Sequence, residues 1–231
     1  DEEGCFIIEG PKITEEFLLH APDQILELYA VEDWLNDNKM LLKRMNPSAF
    51  FAISTADLEK ISSRSTPNQV LAIVRKKKDP QEITVPPGVF LMLDGIQDPG
   101  NFGTIVRIAD WFGISTILCS PECADLYNPK VVQSTMGSLL RVNVIYTNLA
   151  AWCKTNAGAE VYAATLHGKS IYQRSPLTHG AILMGNESKG VHPELLHLCK
   201  EQITIPRTGL AESLNAAVAT GIILSHLVKQ V

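Results

Sequence analysis

From Val89 onward the chain repeats one arrangement three times: an apolar strand that runs into a turn of Gly, Pro or Asn. The first is VFLMLDGIQDPGNFGTIVRIADWFG (Val89–Gly113), the second AILMGNESKGV (Ala181–Val191), and the third ITIPRTGLAESLNAAVATGIIL (Ile203–Leu224). Strands apolar at nearly every position belong to a parallel sheet covered on both faces. In open sheets of that kind, ligands bind beyond the carboxyl ends of the strands. Three polar strand ends therefore point to one composite site.

The surrounding pattern agrees with an α/β fold. Strands are predicted near Val89–Asp94, Thr116–Cys119, Val142–Tyr146, Val161–Thr165, Ile182–Met184 and Ile203–Ile205, with helices between them and a last helix over Ser213–Lys229. Upstream, short β-like runs (Cys5–Ile8, Ile25–Tyr29, Phe50–Ile53, Val70–Val74) alternate with helical ones, and Thr55 is the expected N-cap of one of them. The charged, proline-rich stretch KKKDPQEITVPPG (Lys76–Gly88) reads as the linker. The expected organisation is a small α/β module over residues 1–78, a linker over 79–88 and a larger α/β domain over 89–231.

The turns also carry chemistry. In DPGN, Asn101 is positioned to cap the following helix, and Arg107 lies nearly two turns in. Taken alone these are a cap and a surface arginine. A guanidinium, however, gives planar, bidentate contact to phosphate or to a developing oxyanion. Gly185 stands where a strand stops and lets the backbone approach a ligand, with Glu187 just beyond. Pro206 and Gly209 shape a tight loop before Ser213, the expected N-cap of the last helix, and Leu214 and Asn215 open it.

Together these residues resemble the SpoU-type (TrmH-like) RNA 2′-O-ribose methyltransferases of the SPOUT class. The N-x-G-x-x-x-R motif reads Asn101, Gly103, Arg107, and the G-N/A-E-x-x-G motif reads Gly185, Asn186, Glu187, Gly190. I-P-x-x-G with S-L-N-x-x-x-A reads Ile205, Pro206, Gly209, then Ser213, Leu214, Asn215, Ala219. The likeness covers Pro87–Val231; EGPKITEEFLLHA (Glu9–Ala21) and TPNQVLAIV (Thr66–Val74) resemble the family's small RNA-binding domain more loosely. Departures are Arg207 after the proline and Ala216 after the asparagine, where the family often has Met and Val.

The resemblance implies a trefoil-knotted SPOUT domain with a mostly parallel sheet, a homodimer, and methyl transfer from S-adenosylmethionine to a ribose 2′-OH in rRNA or tRNA, rRNA being favoured. It implies catalytic roles for Arg107, Asn101, Glu187 and Asn215, and a cofactor cradle at Gly185, Ile205 and Leu214, with Thr165 added from the end of VYAAT. RNA contacts are expected from the basic run Arg75, Lys76, Lys77, Lys78 and from Ser213. A further family-like stretch, NPKVVQSTMGSLLRVNV (Asn128–Val144), adds Arg141 near the dimer interface or the RNA.

A net charge of −5 argues mildly against a nucleic-acid partner, although the basic run shows that the average hides patches. Five scattered cysteines with no ligand-like pairing fit reduced thiols in a cytoplasmic protein and no metal site. No apolar run is long enough to span a bilayer. The chain opens DEEGCFIIEG, without a start Met or a leader, and reads as trimmed at its N-terminus. Two other functions fit the sequence less well. A Rossmann enzyme lacks its G-x-G-x-x-G and its acidic residue at the next strand end, and a silent RNA-binding relative would have lost one of the four catalytic residues.

Overall fold

The computed structural model describes residues 4–229 except 65, 67, 79 and 81. Asp79 and Gln81 of the expected linker, Pro67, and Val231 at the end of the expected domain lie outside the described residues.

The upstream module is a four-stranded sheet of β1 (Cys5–Glu9), β2 (Ile25–Ala30), β3 (Phe50–Ala52) and β4 (Val70–Arg75), in the order β1-β4-β2-β3. Among these, only β2 and β3 run parallel. Its helices are α1 (Pro11–His20), α2 (Glu32–Asp37), α3 (Lys39–Leu42) and α4 (Thr55–Ile61). The N-cap of α4 is Ser54, whose side chain accepts from Asp57 N–H, so Thr55 is the first helical residue and not the cap.

The second sheet is built from β5 (Val89–Asp94), β6 (Thr116–Cys119), β7 (Asn143–Tyr146), β8 (Val161–Ser170), β9 (Gly180–Gly185) and β10 (Glu201–Thr204). The order is β10-β8-β9-β5-β6-β7, and every pairing is parallel. The crossovers carry α5 (Pro99–Trp111), α6 (Pro129–Thr135), α7 (Leu149–Thr155), α8 (Pro193–Leu198) and, after β10, α9 (Ala216–Leu227). Period-2 alternation explains the two covered faces. Leu91, Leu93, Ile117 and Ile182 point into one core with Phe102, Ile105 and Leu224, while Phe90, Met92, Leu118 and Leu183 point into another with Leu149, Trp152 and Leu195.

The strand order reverses between β5 and β9. From β5 the chain builds outward to β6 and β7, then returns to place β9, β8 and β10 on the other side. Loops leaving β5 and β9 therefore diverge, and a crevice opens between them.

The two sheets share one continuous core. Phe6 of β1 packs on Tyr127 with ring centroids 4.7 Å apart, and the backbone N–H of Lys77 donates to the Tyr127 hydroxyl at 3.1 Å. The small module is thus seated against α6 and the turn that precedes it. All five cysteines are unpaired, with Cys119, Cys123 and Cys153 buried. No described helix is long and apolar enough to cross a membrane.

Candidate active site

Helix α5 starts at Asp98, not Asn101: Asp98 accepts the Asn101 N–H at 2.7 Å, and Pro99 follows at the first helical position. That corrects the expected cap and frees the Asn101 side chain. Its Nδ2 donates to Glu187 Oε1 at 2.8 Å, and its Oδ1 accepts from Asn215 Nδ2 at 2.8 Å. Asn215 is itself the N-cap of α9, accepting from Ala217 N–H at 3.0 Å and Val218 N–H at 3.2 Å. Ser213 is exposed and caps nothing, so α9 begins three residues later than expected. One asparagine side chain therefore ties together the loops that follow β5, β9 and β10.

The turn carrying Glu187 is held from within. Asn186 and Gly190 exchange backbone hydrogen bonds of 3.0 and 2.9 Å, and Asn186 Nδ2 donates to the Gly95 carbonyl at 2.7 Å. A Cβ on Gly185 would sit 2.3 Å from the Gly190 carbonyl carbon, so only glycine fits under this turn. Gly103 is fixed by a different contact: its Cβ would lie 2.6 Å from the Val131 carbonyl and from Ser134 Cβ, where α6 crosses α5. The glycine of the first motif is thus needed for helix packing. The same crossing brings Lys130, an exposed residue absent from the expected site, beside the first turn of α5 at Gly100.

The cradle residues lie at a common level. Ala163, Leu183 and Gln202 form one rung across β8, β9 and β10. Thr165, Gly185 and Ile205 lie two or three residues beyond it. β8 does not simply end there. Its pairing jumps from Ala163 to Lys169 against adjacent β10 residues, extruding a bulge that contains Thr165 and leaves Leu166 64% exposed. Thr165 Oγ1 meets Gln202 Oε1 at 3.3 Å. Leu214 is exposed beside Asn215.

Arg107 does not join the asparagine bridge within one chain. Six residues separate it from Asn101, which places it about 9 Å along the axis and about 120° around it. It is exposed, and among the described residues it makes no hydrogen bond or ion pair. Its neighbours on that side of α5 are Thr104, Ile108 and Trp111, the last 85% exposed.

The expected RNA contacts divide. Arg75 and Lys78 are exposed. Lys76 lies over the Tyr127 ring at 5.1 Å. Lys77 is exposed but lays its ammonium against the carbonyls of Leu139 and Leu140, donating at 3.2 and 2.9 Å, where partial desolvation lowers its pKa. Arg141 is occupied as well. Its Nε donates to Asp110 at 2.9 Å and its Nη1 to Glu16 at 2.6 Å, and the Asp110 carboxylate, ahead of Glu16, raises its pKa. Lys77 and Arg141 are therefore engaged within the chain, as braces between the upstream module and the second sheet.

Comparison with known proteins agrees with this geometry. Residues 88–225 match the model of the SpoU rRNA Methylase family. The chain is 30% identical over 227 residues to the Bacillus subtilis 23S rRNA (guanosine(2553)-2′-O)-methyltransferase RlmP, covering 97% of this chain and 88% of that protein. It is 27% identical to the Escherichia coli 23S rRNA (guanosine-2′-O-)-methyltransferase RlmB over 97% of this chain and 98% of that one. Its fold superposes on an AdoMet-bound rRNA methyltransferase from Sinorhizobium meliloti with a TM-score of 0.84 and 29% identity, over 98% of this chain and 88% of that one. With its three motif loops joined at the carboxyl edge of a parallel sheet, the chain belongs to the SpoU rRNA methylase family.

Proposed function

We propose that the protein transfers a methyl group from S-adenosylmethionine to a ribose 2′-OH of structured RNA in the cytoplasm, with ribosomal RNA favoured over transfer RNA. The observation that carries this reading is the Glu187–Asn101–Asn215 bridge. It fixes three loops around one point beyond the sheet, beside a strand-end level formed by Thr165, Gly185 and Ile205. Leu166 and Leu214, exposed at 64% and 47%, offer apolar surface of the kind an adenine ring covers. Those backbones and side chains would hold the cofactor, which supplies an electrophilic sulfonium methyl.

The chain's own residues then have separable roles. Glu187 and Asn215, kept in place through Asn101, orient the ribose for in-line attack. Arg107 pairs with the RNA phosphate and stabilises the alkoxide that emerges as the 2′-OH proton departs to phosphate or water. Arginine does not serve as the base, because it stays protonated to above about pH 12.

Arg107 reaches that position from a second copy of the chain. The groove between α5 and α9, about 570 Å³ and lined by Thr104, Ile108, Val218 and Ile222, is continuous with Asn101 and Asn215. Val218 is 52% exposed and Trp111 85%. Covering this face in a two-fold dimer would bring one protomer's Arg107 toward its partner's bridge. The trefoil knot belongs to the same reading. A Cβ on Gly168 would lie 2.5 Å from the Gln202 carbonyl carbon, so the bulge of β8 presses directly on β10.

The test is methyl transfer from labelled S-adenosylmethionine into unmodified 23S rRNA and tRNA transcripts, followed by nucleoside analysis. A 2′-O-methyl nucleoside is expected, and label on a base or none at all would overturn the reading.

A further inference from the structure

A second cavity, about 530 Å³, opens at the point where the strand order reverses. It lies beyond the ends of β5, β6 and β9, and two of its lining residues belong to the loops that hold the proposed active site. Asn186 lines it, and the next residue is Glu187. Gln97 also lines it, and the next residue, Asp98, caps the helix that carries Asn101. The loops that hold the asparagine bridge thus also form walls of this cavity.

The walls are apolar on one side, with Pro121, Leu149 and Leu195, and polar at the rim, where Gln97, Lys189 and Glu122 stand. Glu122 is the informative group. The turn beneath it is fixed to the β5–α5 loop, since Gly95 N–H donates to Ser120 Oγ at 3.0 Å and Ile96 N–H to Cys123 Sγ at 3.3 Å. The Ser120 hydroxyl, with a smaller contribution from His192, holds the Glu122 carboxyl below the usual carboxylate range, so it stays ionised at neutral pH. An anion on this turn, beside an RNA path, repels phosphate. It fits a group that presents hydrogen-bond donors.

We infer that this cavity receives the base of the target nucleotide, and that Glu122 selects guanine by accepting its N1–H and N2–H donors together. Guanine is the RNA base that offers two adjacent donors to one carboxylate, and Gln97 or Lys189 can donate to its O6. The apolar wall takes the ring face, as flipped or splayed bases are commonly held. Adenine and cytosine each offer one exocyclic amine there, and uracil one ring N–H.

This inference rests on the proposed methyltransferase reading, and the experiment separates the two. The intact protein methylates an unmodified 23S rRNA transcript, and the labelled nucleosides are identified. 2′-O-Methylguanosine is expected. A 2′-O-methyl group on another nucleoside would overturn base selection and leave the methyltransferase reading standing. Glu122→Gln replaces the double acceptor with one acceptor and one donor of the same shape. It should lower kcat/KM for the transcript on the order of 5- to 100-fold, the range of one bidentate base contact, with S-adenosylmethionine affinity unchanged. Ligand-observed NMR with free nucleotides gives an independent readout: GMP should bind more tightly than IMP, which lacks the 2-amino group, and Glu122→Gln should abolish that difference. Equal binding of GMP and IMP by the wild type, or an unaltered preference in Glu122→Gln, refutes the assignment.

Discussion

Exchanging Asn101 for aspartate changes one atom at the centre of the bridge and tests whether the bridge controls the site. The Oδ1 that accepts from Asn215 is kept, and the Asp98 cap is untouched because it binds the backbone of residue 101. Only the donor facing Glu187 is lost, replaced by an anionic oxygen about as close as the present 2.8 Å contact. Two carboxylates at that distance repel by roughly 6 kcal/mol at an effective dielectric of 20. Uptake of one proton relieves this. Keeping a carboxyl of ordinary pKa near 4.3 protonated at pH 7 costs about 3.7 kcal/mol, after which the shared proton restores a hydrogen bond.

The expected deficit at pH 7 is therefore about 2–4 kcal/mol, the lower end reflecting relaxation at a partly exposed site. The sign follows from a carboxyl whose folded-state pKa is raised. The deficit is largest above that pKa and shrinks by about 1.4 kcal/mol for each pH unit as the pH falls toward the unfolded value. Thermal denaturation from pH 8 to pH 5 should show Asn101→Asp approaching the wild type as pH falls, with a gap of about 4–16 °C at neutral pH. Methyl transfer should recover over the same range. A variant with wild-type melting and activity at pH 8 would show that the Asn101–Glu187 bond contributes nothing, and the account of the site would fail.

Four further outcomes follow from the geometry. Arg107→Ala should leave S-adenosylmethionine affinity nearly unchanged while transfer falls about 10²–10³-fold, measured by equilibrium binding and single-turnover assay; Arg107→Lys should rescue only partly. Light scattering at micromolar concentration should give a dimer mass, and Val218→Glu should give a monomer that still binds the cofactor weakly and transfers no methyl. Gly103→Ala should cost about 1–3 kcal/mol or more in denaturant unfolding, because its methyl meets the α6 backbone at 2.6 Å. Arg141→Ala should destabilise the chain by removing the bridge between Glu16 and Asp110, and it should weaken RNA binding no more than an exposed neutral substitution does.

The strands were legible in the sequence because burial on both faces leaves a continuous apolar run. Val89–Asp94 and Thr116–Cys119 are bounded in the structure as the sequence predicts, and the other strands differ by a few residues at their ends. The caps were harder to place. DPGN offers two capping side chains, and only the position of proline at the first helical residue favours Asp98. SLN likewise offers Ser213 and Asn215, and the residue nearer the apolar helix took the role. The bulge in β8 is set by its partner β10, some 35 residues later, so no local pattern announces it. The partners of Arg141 are hidden from local pattern for the same reason, since they lie 31 and 125 residues away.

The mild objection that net charge raises against an RNA partner dissolves once charges are placed. Glu160 and Glu201 stand at the amino ends of β8 and β10, where they pair with Lys200, His179, Lys169 and Arg174. Glu16 and Asp110 are satisfied by Arg141 between the module and the sheet. These carboxylates are neutralised and sit away from the strand ends that carry the motifs. At the carboxyl edge the balance is different. Arg107 and Lys130 are exposed on or beside α5, and Arg207 holds its loop through the Ala211 carbonyl without an acidic partner among the described residues. What a polyanion meets is the local field within a Debye length of roughly 8 Å, not the sum over the chain. On that scale Glu122 stands with Asp94 and Glu194 around one cavity, an acidic lining that suits a base bringing its own donors better than a phosphate.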